Sequence, residues 1–125
     1  MKFRIARHTD SLEKMTDFYV GILGLEVLGS FKDHDEYDGV FLGLPGHDWH
    51  LEFTVSPDGP LHTPDEDDLT VFYVIEDVYN GICDRAAAAG IQNMVAKNPY
   101  WRDNGITIVD PDGFRVVIAQ LKKRP

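Results

Sequence analysis

The residues in this chain best equipped for chemistry are an imidazole and a carboxylate two positions apart. His50-Leu51-Glu52-Phe53-Thr54 alternates in the manner of a strand, so His50, Glu52 and Thr54 share one face. A glutamate in a partly apolar pocket can anchor a ligand or act as a general base. It can equally be a carboxylate paired with Arg115 or Arg7, holding strands together. His50 suits hydrogen bonding better than catalysis, and a metal held by His50 and Glu52 alone is not expected, because two ligands seldom suffice. Tyr100 and Trp101 adjoin in an aromatic loop, Asn98 to Asn104. They can close over a ligand and stack on it, plug one end of a pocket, or meet a second copy of the chain.

The other reactive side chains read more plainly. His8, His34, His47 and His62 fall in loops or at element ends and are expected at the surface, with His34 and His47 the pair to watch near a pocket rim. Cys83 sits in a helical pattern as a small apolar residue. Asp65-Glu66-Asp67-Asp68 lacks the glycine-bearing spacing of a calcium loop and reads as solvated. Lys122-Lys123-Arg124-Pro125 reads as a basic, solvated end.

The elements that must position these residues come in two rounds. Lys2 to Arg7 alternates as a strand. Asp10 or Ser11 stands where an N-cap belongs, and Leu12, Met15, Phe18, Tyr19 and Ile22 give a helix over 12–23 that Gly24 ends. A strand over 25–32 follows, with Gly29 marking a bulge. The polar turn 33–38 then leads to a hairpin over 39–55. A proline-rich, acidic linker covers 57–68. The pattern restarts with a strand over 69–75, a helix over 78–89 ended by Gly90, a short strand over 91–95 and a second hairpin over 105–119. In that hairpin Asp110-Pro111-Asp112-Gly113 forms the turn, Pro111 fixing φ and Gly113 taking the left-handed conformation. Laid on one another, Gly39 matches Gly105 and Glu52 matches Val117, so the chain is two copies of one β-α-β-β-β unit, about 1–56 and about 69–121, forming one domain over 1–125.

Composition narrows the class. At 125 residues with 43% apolar and 26% charged side chains, the chain is one ordinary globular domain. A net charge of −9 argues against nucleic acid or an anionic membrane as partner. One cysteine excludes an internal disulfide and fits a reducing, cytoplasmic setting, and no stretch resembles a signal peptide or a membrane span.

The motifs Asp17-Phe18-Tyr19 with Leu23-Gly24-Leu25, His50-Leu51-Glu52-Phe53 and Asp110-Pro111-Asp112-Gly113-Phe114 resemble the vicinal oxygen chelate superfamily. That group holds glyoxalase I, extradiol dioxygenases, fosfomycin-resistance enzymes and bleomycin-resistance proteins. The resemblance implies an α+β fold of paired βαβββ modules, the glyoxalase/bleomycin resistance/dihydroxybiphenyl dioxygenase fold. Its curled mixed sheet forms a cup with helices outside, and such modules commonly work as homodimers. The family's metal centre takes one ligand from the first and last strand of each module. Carried over, those positions fall on Phe3, Glu52, Thr70 and Val117, of which only Glu52 binds a metal well. The resemblance therefore points to the metal-free branch, with no cofactor expected and a divalent metal disfavoured. It implies binding of a small organic molecule in the cup. The alternative is a metal-dependent lyase or dioxygenase using Glu52 and His50 with a histidine such as His8 or His47. If Glu52 faces the cup, alternation sends Phe3, Ile5 and Arg7, Thr70, Phe72 and Val74, and Arg115, Val117 and Ala119 there too. The candidate site is Glu52, as anchor or catalytic carboxylate, with His50, Arg115, Phe72, Tyr100 and Trp101.

Overall fold

Alternating and β-branched runs become strands, and helical periodicity becomes helices, in two compact units that divide between His62 and Thr63. A computed structural model of the chain describes residues 1–121. The basic end, Lys122 to Pro125, lies outside the described residues.

The first unit runs β1 (Phe3–His8), α1 (Leu12–Thr16), β2 (Glu26–His34), β3 (Tyr37–Gly43) and β4 (Trp49–Val55). Its sheet has the order β1-β4-β3-β2, with β1 parallel to β4 and the other pairs antiparallel. Ser11 caps α1, its hydroxyl accepting from Lys14 N at 3.1 Å. The expected single helix over 12–23 is instead one and a half α-turns that widen into a π-helix, Asp17–Ile22. There Leu23 N bonds five residues back to Phe18 O at 3.2 Å. Gly24 ends it at φ +80°. The bulge foreseen at Gly29 is present as a register shift between Val27 and Gly29. The helical segment buries Met15, Phe18 and Tyr19 against Val40, Leu42 and Phe53. The Tyr19 and Phe53 rings lie 5.1 Å apart. Because Val40 pairs with Phe53 and Leu42 with Leu51, this is one face of the sheet. His50, Glu52 and Thr54 are therefore on the other.

The second unit runs β5 (Leu69–Val74), α2 (Glu76–Ala88), a single 3₁₀ turn (Pro99–Arg102), β6 (Ile106–Val109) and β7 (Arg115–Gln120). The sheet order is β5-β7-β6, with β5 and β7 parallel. Val116, Val117, Ile118 and Ala119 are all buried, so β7 is covered on both faces. Gly90 ends α2 at φ +72°, and Gly113 takes φ +90° in the hairpin turn. Asp110 organises that turn, its Oδ1 accepting from Asp112 N at 2.9 Å and Phe114 N at 3.0 Å.

The strand expected over 91–95 does not form. Met94 N bonds to Thr107 O at 2.7 Å, but Thr107 N goes to the Asn93 side chain at 3.0 Å rather than to a backbone carbonyl. The Val95 and Ala96 carbonyls accept from Arg115 and Arg102 at 3.2 and 2.9 Å. Side chains satisfy the backbone groups that a ladder would have used, so no ladder propagates. The βαβββ order is complete in the first unit and lacks this strand in the second.

Candidate ligand site

The parallel register of β1 and β4 decides what surrounds Glu52. Arg4 pairs with His50, Ala6 with Glu52 and His8 with Thr54. Partners across a parallel pair point to the same side. The strand-one residues facing with Glu52 are therefore Arg4, Ala6 and His8, and the expected Phe3, Ile5 and Arg7 belong to the opposite face. The expectation was one residue out of step, which exchanges the faces. The consequence is chemical. Arg4 Nη1 donates to Glu52 Oε1 at 3.0 Å. Glu52 thus has its ion pair with Arg4 rather than with Arg7 or Arg115. The carboxylate is 14% exposed and the guanidinium 59%, so one end of the pair is held and the other meets solvent.

Antiparallel pairing extends the face across the sheet. Phe41 pairs with Glu52, Gly39 with Thr54 and Gly43 with His50, while Phe31 lies against Gly39 and Gly29 against Phe41. The two phenyl rings cross the glycines. A Cβ on Gly39 would overlap the Phe31 ring, and one on Gly29 would come to 3.2 Å from Phe41 Cδ2. The rings stand 5.8 Å apart, and Phe41 meets His50 edge-on at 5.4 Å. His50 Nε2 is buried with no hydrogen-bond partner among the described residues. Beside Glu52 a hollow of about 450 Å³ is lined by Ala6, His8, Phe31, Tyr37 and Thr54.

His8 is not a free surface histidine. Its Nδ1 meets Thr54 Oγ1 at 2.8 Å, and its Nε2 meets Ser56 Oγ and the Asp58 carbonyl, each at 2.9 Å. His62 Nε2 meets the His8 carbonyl at 2.6 Å. These contacts tie the segment after β4 to the end of β1. Of the two histidines expected near a rim, His34 lines this hollow, edge-on to Phe31 at 6.2 Å, while His47 stands 6.1 Å from Trp49 and is not among the lining residues.

In the second unit the register again shifts the expected face by one. Leu69 pairs with Arg115, Val71 with Val117 and Tyr73 with Ala119, so Thr70, Phe72 and Val74 lie on the opposite side from Val117. Arg115 donates to Val95 O at 3.2 Å and stands 3.6 Å from the Glu66 carboxylate. Tyr100 and Trp101 occupy the 3₁₀ turn, edge to face at 4.8 Å, and Trp101 lies 6.4 Å from Tyr73. These rings line a cleft of about 930 Å³ with Tyr79 and Ala119. Tyr79 has its phenol pushed above the usual 10.0, first by burial and then by the neighbouring Cys83 thiol. Arg4, Phe41 and Tyr73 were not singled out in the sequence. The signal available for them was alternation combined with the correct phase of β1, β3 and β5.

The family's metal centre does not fit these residues. Among the described residues no group of three or more His, Cys, Asp or Glu side chains is placed to hold a metal. On strand one, the side chain that reaches Glu52 is a guanidinium, a donor-only cation that cannot ligate. Among the described residues no helix is long and apolar enough to cross a membrane.

Known proteins share the architecture of this chain. Its fold is the paired-module fold of the glyoxalase and bleomycin-resistance proteins. A Leishmania major trypanothione-dependent glyoxalase I superposes with a TM-score of 0.75 at 18% identity, over 96% of this chain and 86% of that one. A Listeria monocytogenes fosfomycin resistance protein, FosX, solved with Mn(II) and dihydroxypropylphosphonic acid, superposes at 0.71 with 17% identity, over 93% and 88%. Residues 3–54 match the YycE-like N-terminal domain and residues 67–120 the YycE-like C-terminal domain. YycE of Bacillus subtilis is 42% identical over 123 residues, 97% of this chain and 88% of that protein. Its crystal structure, described as a protein of unknown function and a candidate glyoxalase/fosfomycin resistance protein, superposes at 0.87 over 98% and 91%. The chain belongs to the YycE-like family of the vicinal oxygen chelate superfamily.

Proposed function

We propose that this protein binds a small organic molecule on the Glu52 face of its first sheet, without the superfamily's metal centre. The observation that carries the reading is the Arg4–Glu52 pair, which puts the protein's own cation beside the one metal-competent residue of the carried-over set. Around it are the features of a small-molecule pocket: a hollow of about 450 Å³ with apolar walls from Ala6, Phe31 and Tyr37 and a few fixed polar groups, His8, Glu52 and Thr54. Arg4, more than half exposed, offers donors to an acceptor on the ligand. His50 Nε2, buried on the same face with no partner of its own among the described residues, is a second polar contact for a ligand that displaces the Phe41 ring beside it. Glu52 fixes Arg4 and anchors the ligand through it. On this reading both units count as one cytoplasmic domain, working as a homodimer, the assembly common among relatives of this fold.

A thermal-shift screen of small organic molecules against the wild type, Glu52→Gln and His50→Ala tests this. A ligand at a hundred times its Kd raises stability by about 2.7 kcal/mol. Such a ligand should shift the wild type by several degrees and lose most of that shift in both variants. Ligands that stabilise all three proteins equally would place binding elsewhere.

A further inference from the structure

We infer that the aromatic cleft of the second unit is a site for an organic cation, meaning a planar or quaternary ammonium compound. This stands apart from the reading of the Glu52 face and does not rest on it. The cleft, about 930 Å³, is lined by residues of the second unit alone. Four rings contribute to it: Tyr73, Tyr79, Tyr100 and Trp101. Trp101 holds the group together, at 4.8 Å from Tyr100 and 6.4 Å from Tyr73. Tyr73 and Tyr100 are 55% and 54% exposed. Large rings left half bare around one concavity are the arrangement that stacking on a ligand requires.

Charge selects the ligand class. The ionisable lining residues besides the tyrosines are Glu76 and Asp103, and no Lys, Arg or His is among the described lining residues. Arg102, adjacent in sequence, is turned to the Ala96 and Lys97 carbonyls at 2.9 and 3.5 Å. Aromatic faces with two carboxylates attract a cation through the ring quadrupoles and by direct charge, and repel an anion. Asn104 keeps the loop in place by donating from Nδ2 to Tyr100 O at 2.6 Å.

The test uses the intact protein carrying Trp49→Phe, which leaves Trp101 as the sole tryptophan. Trp101 fluorescence is titrated with N-methylquinolinium, with its neutral parent quinoline at pH 8 and with naphthalene-2-sulfonate. The expected result is saturable quenching by the cation and binding at least about fivefold weaker for the neutral compound, as a desolvated cation–π contact implies. The sulfonate should not bind. Tyr100→Ala should weaken the cation about five- to thirtyfold, and Glu76→Gln with Asp103→Asn should reduce its preference over quinoline. Because the three probes are compared on one folded protein, the result does not depend on how the variants fold. Equal affinity for all three, or quenching that never saturates, overturns the inference. Binding seen only after deletion of residues 122–125 would assign the cleft to the chain's own basic end and overturn it as well. Glu52→Gln should leave the cation titration unchanged, which separates this site from the Glu52 face.

Discussion

Substituting Gly39 by alanine should destabilise the first unit through one ring. The added Cβ would overlap Cε1 and Cζ of Phe31 and lie 3.2 Å from its Cδ1. Phe31 must then leave its place over Gly39, giving up its neighbours Phe41 at 5.8 Å and His34 at 6.2 Å. Forcing a methyl into such a contact costs about 1–3 kcal/mol. Gly39 has no positive φ, so alanine's smaller unfolded-state entropy returns about 0.5–1 kcal/mol. The net loss is about 0–2.5 kcal/mol, centred near 1, read as a urea midpoint lower by roughly 0.5 M at an ordinary m-value. The double mutant supplies the decisive arm. In a Phe31→Ala background the clash is gone, and Gly39→Ala should become neutral or stabilising. A Gly39→Ala protein that is more stable than wild type, or effects of the two changes that add within about 0.5 kcal/mol, would refute the claim that this glycine exists to seat that ring.

Three further outcomes are expected. Asp110→Ala should cost about 1–3 kcal/mol in denaturant unfolding, since it strips the acceptor from two half-buried turn N–H groups, and Asp110→Asn should recover part of that loss. Arg4→His should gain micromolar affinity for Ni²⁺ or Zn²⁺ by calorimetry, because the new imidazole would stand across from His50 and beside Glu52; no gain would show that this face is not arranged as the register implies. Tyr79 should titrate above 10.0 when followed by phenolate absorbance, less so in Cys83→Ala, with burial leaving the larger share in place. Its folded pKa is raised, so its contribution to stability is fully present below pH 10.0 and is lost as pH rises through the folded value.

Most of the fold was legible because this chain agrees with itself at several levels. The paired glycines, Gly39 and Gly105, stand at matching places and both permit close approach: Gly39 under the Phe31 ring and Gly105 against the Ile118 carbonyl. The Asp110-Pro111-Asp112-Gly113 turn and the stop at Gly24 need only local chemistry, and both formed as the residues suggest. What failed was phase. A strand such as Phe3–His8, with Phe3, Ile5 and Arg7 alternating against Arg4, Ala6 and His8, does not declare which set faces a ligand. Pairing to β4 decides it, and that is a long-range fact. The same holds for Thr70 against Val71 on β5. The missing strand at 91–95 failed for another reason. Asn93, Arg102 and Arg115 supply the hydrogen bonds a neighbouring strand would have made, and nothing in the local pattern reveals that those side chains reach back. The π-helical widening at Asp17–Ile22 likewise leaves the apolar spacing unchanged.

The central claim, that the cation beside Glu52 is the protein's own guanidinium, is tested most directly by elemental mass spectrometry. The untagged protein is assayed as isolated, and again after incubation with excess Mn²⁺, Ni²⁺ or Zn²⁺ and desalting. The expected result is negligible metal in both samples. Close to one equivalent per chain, lost in Glu52→Gln, would contradict it and make Glu52 part of a metal centre.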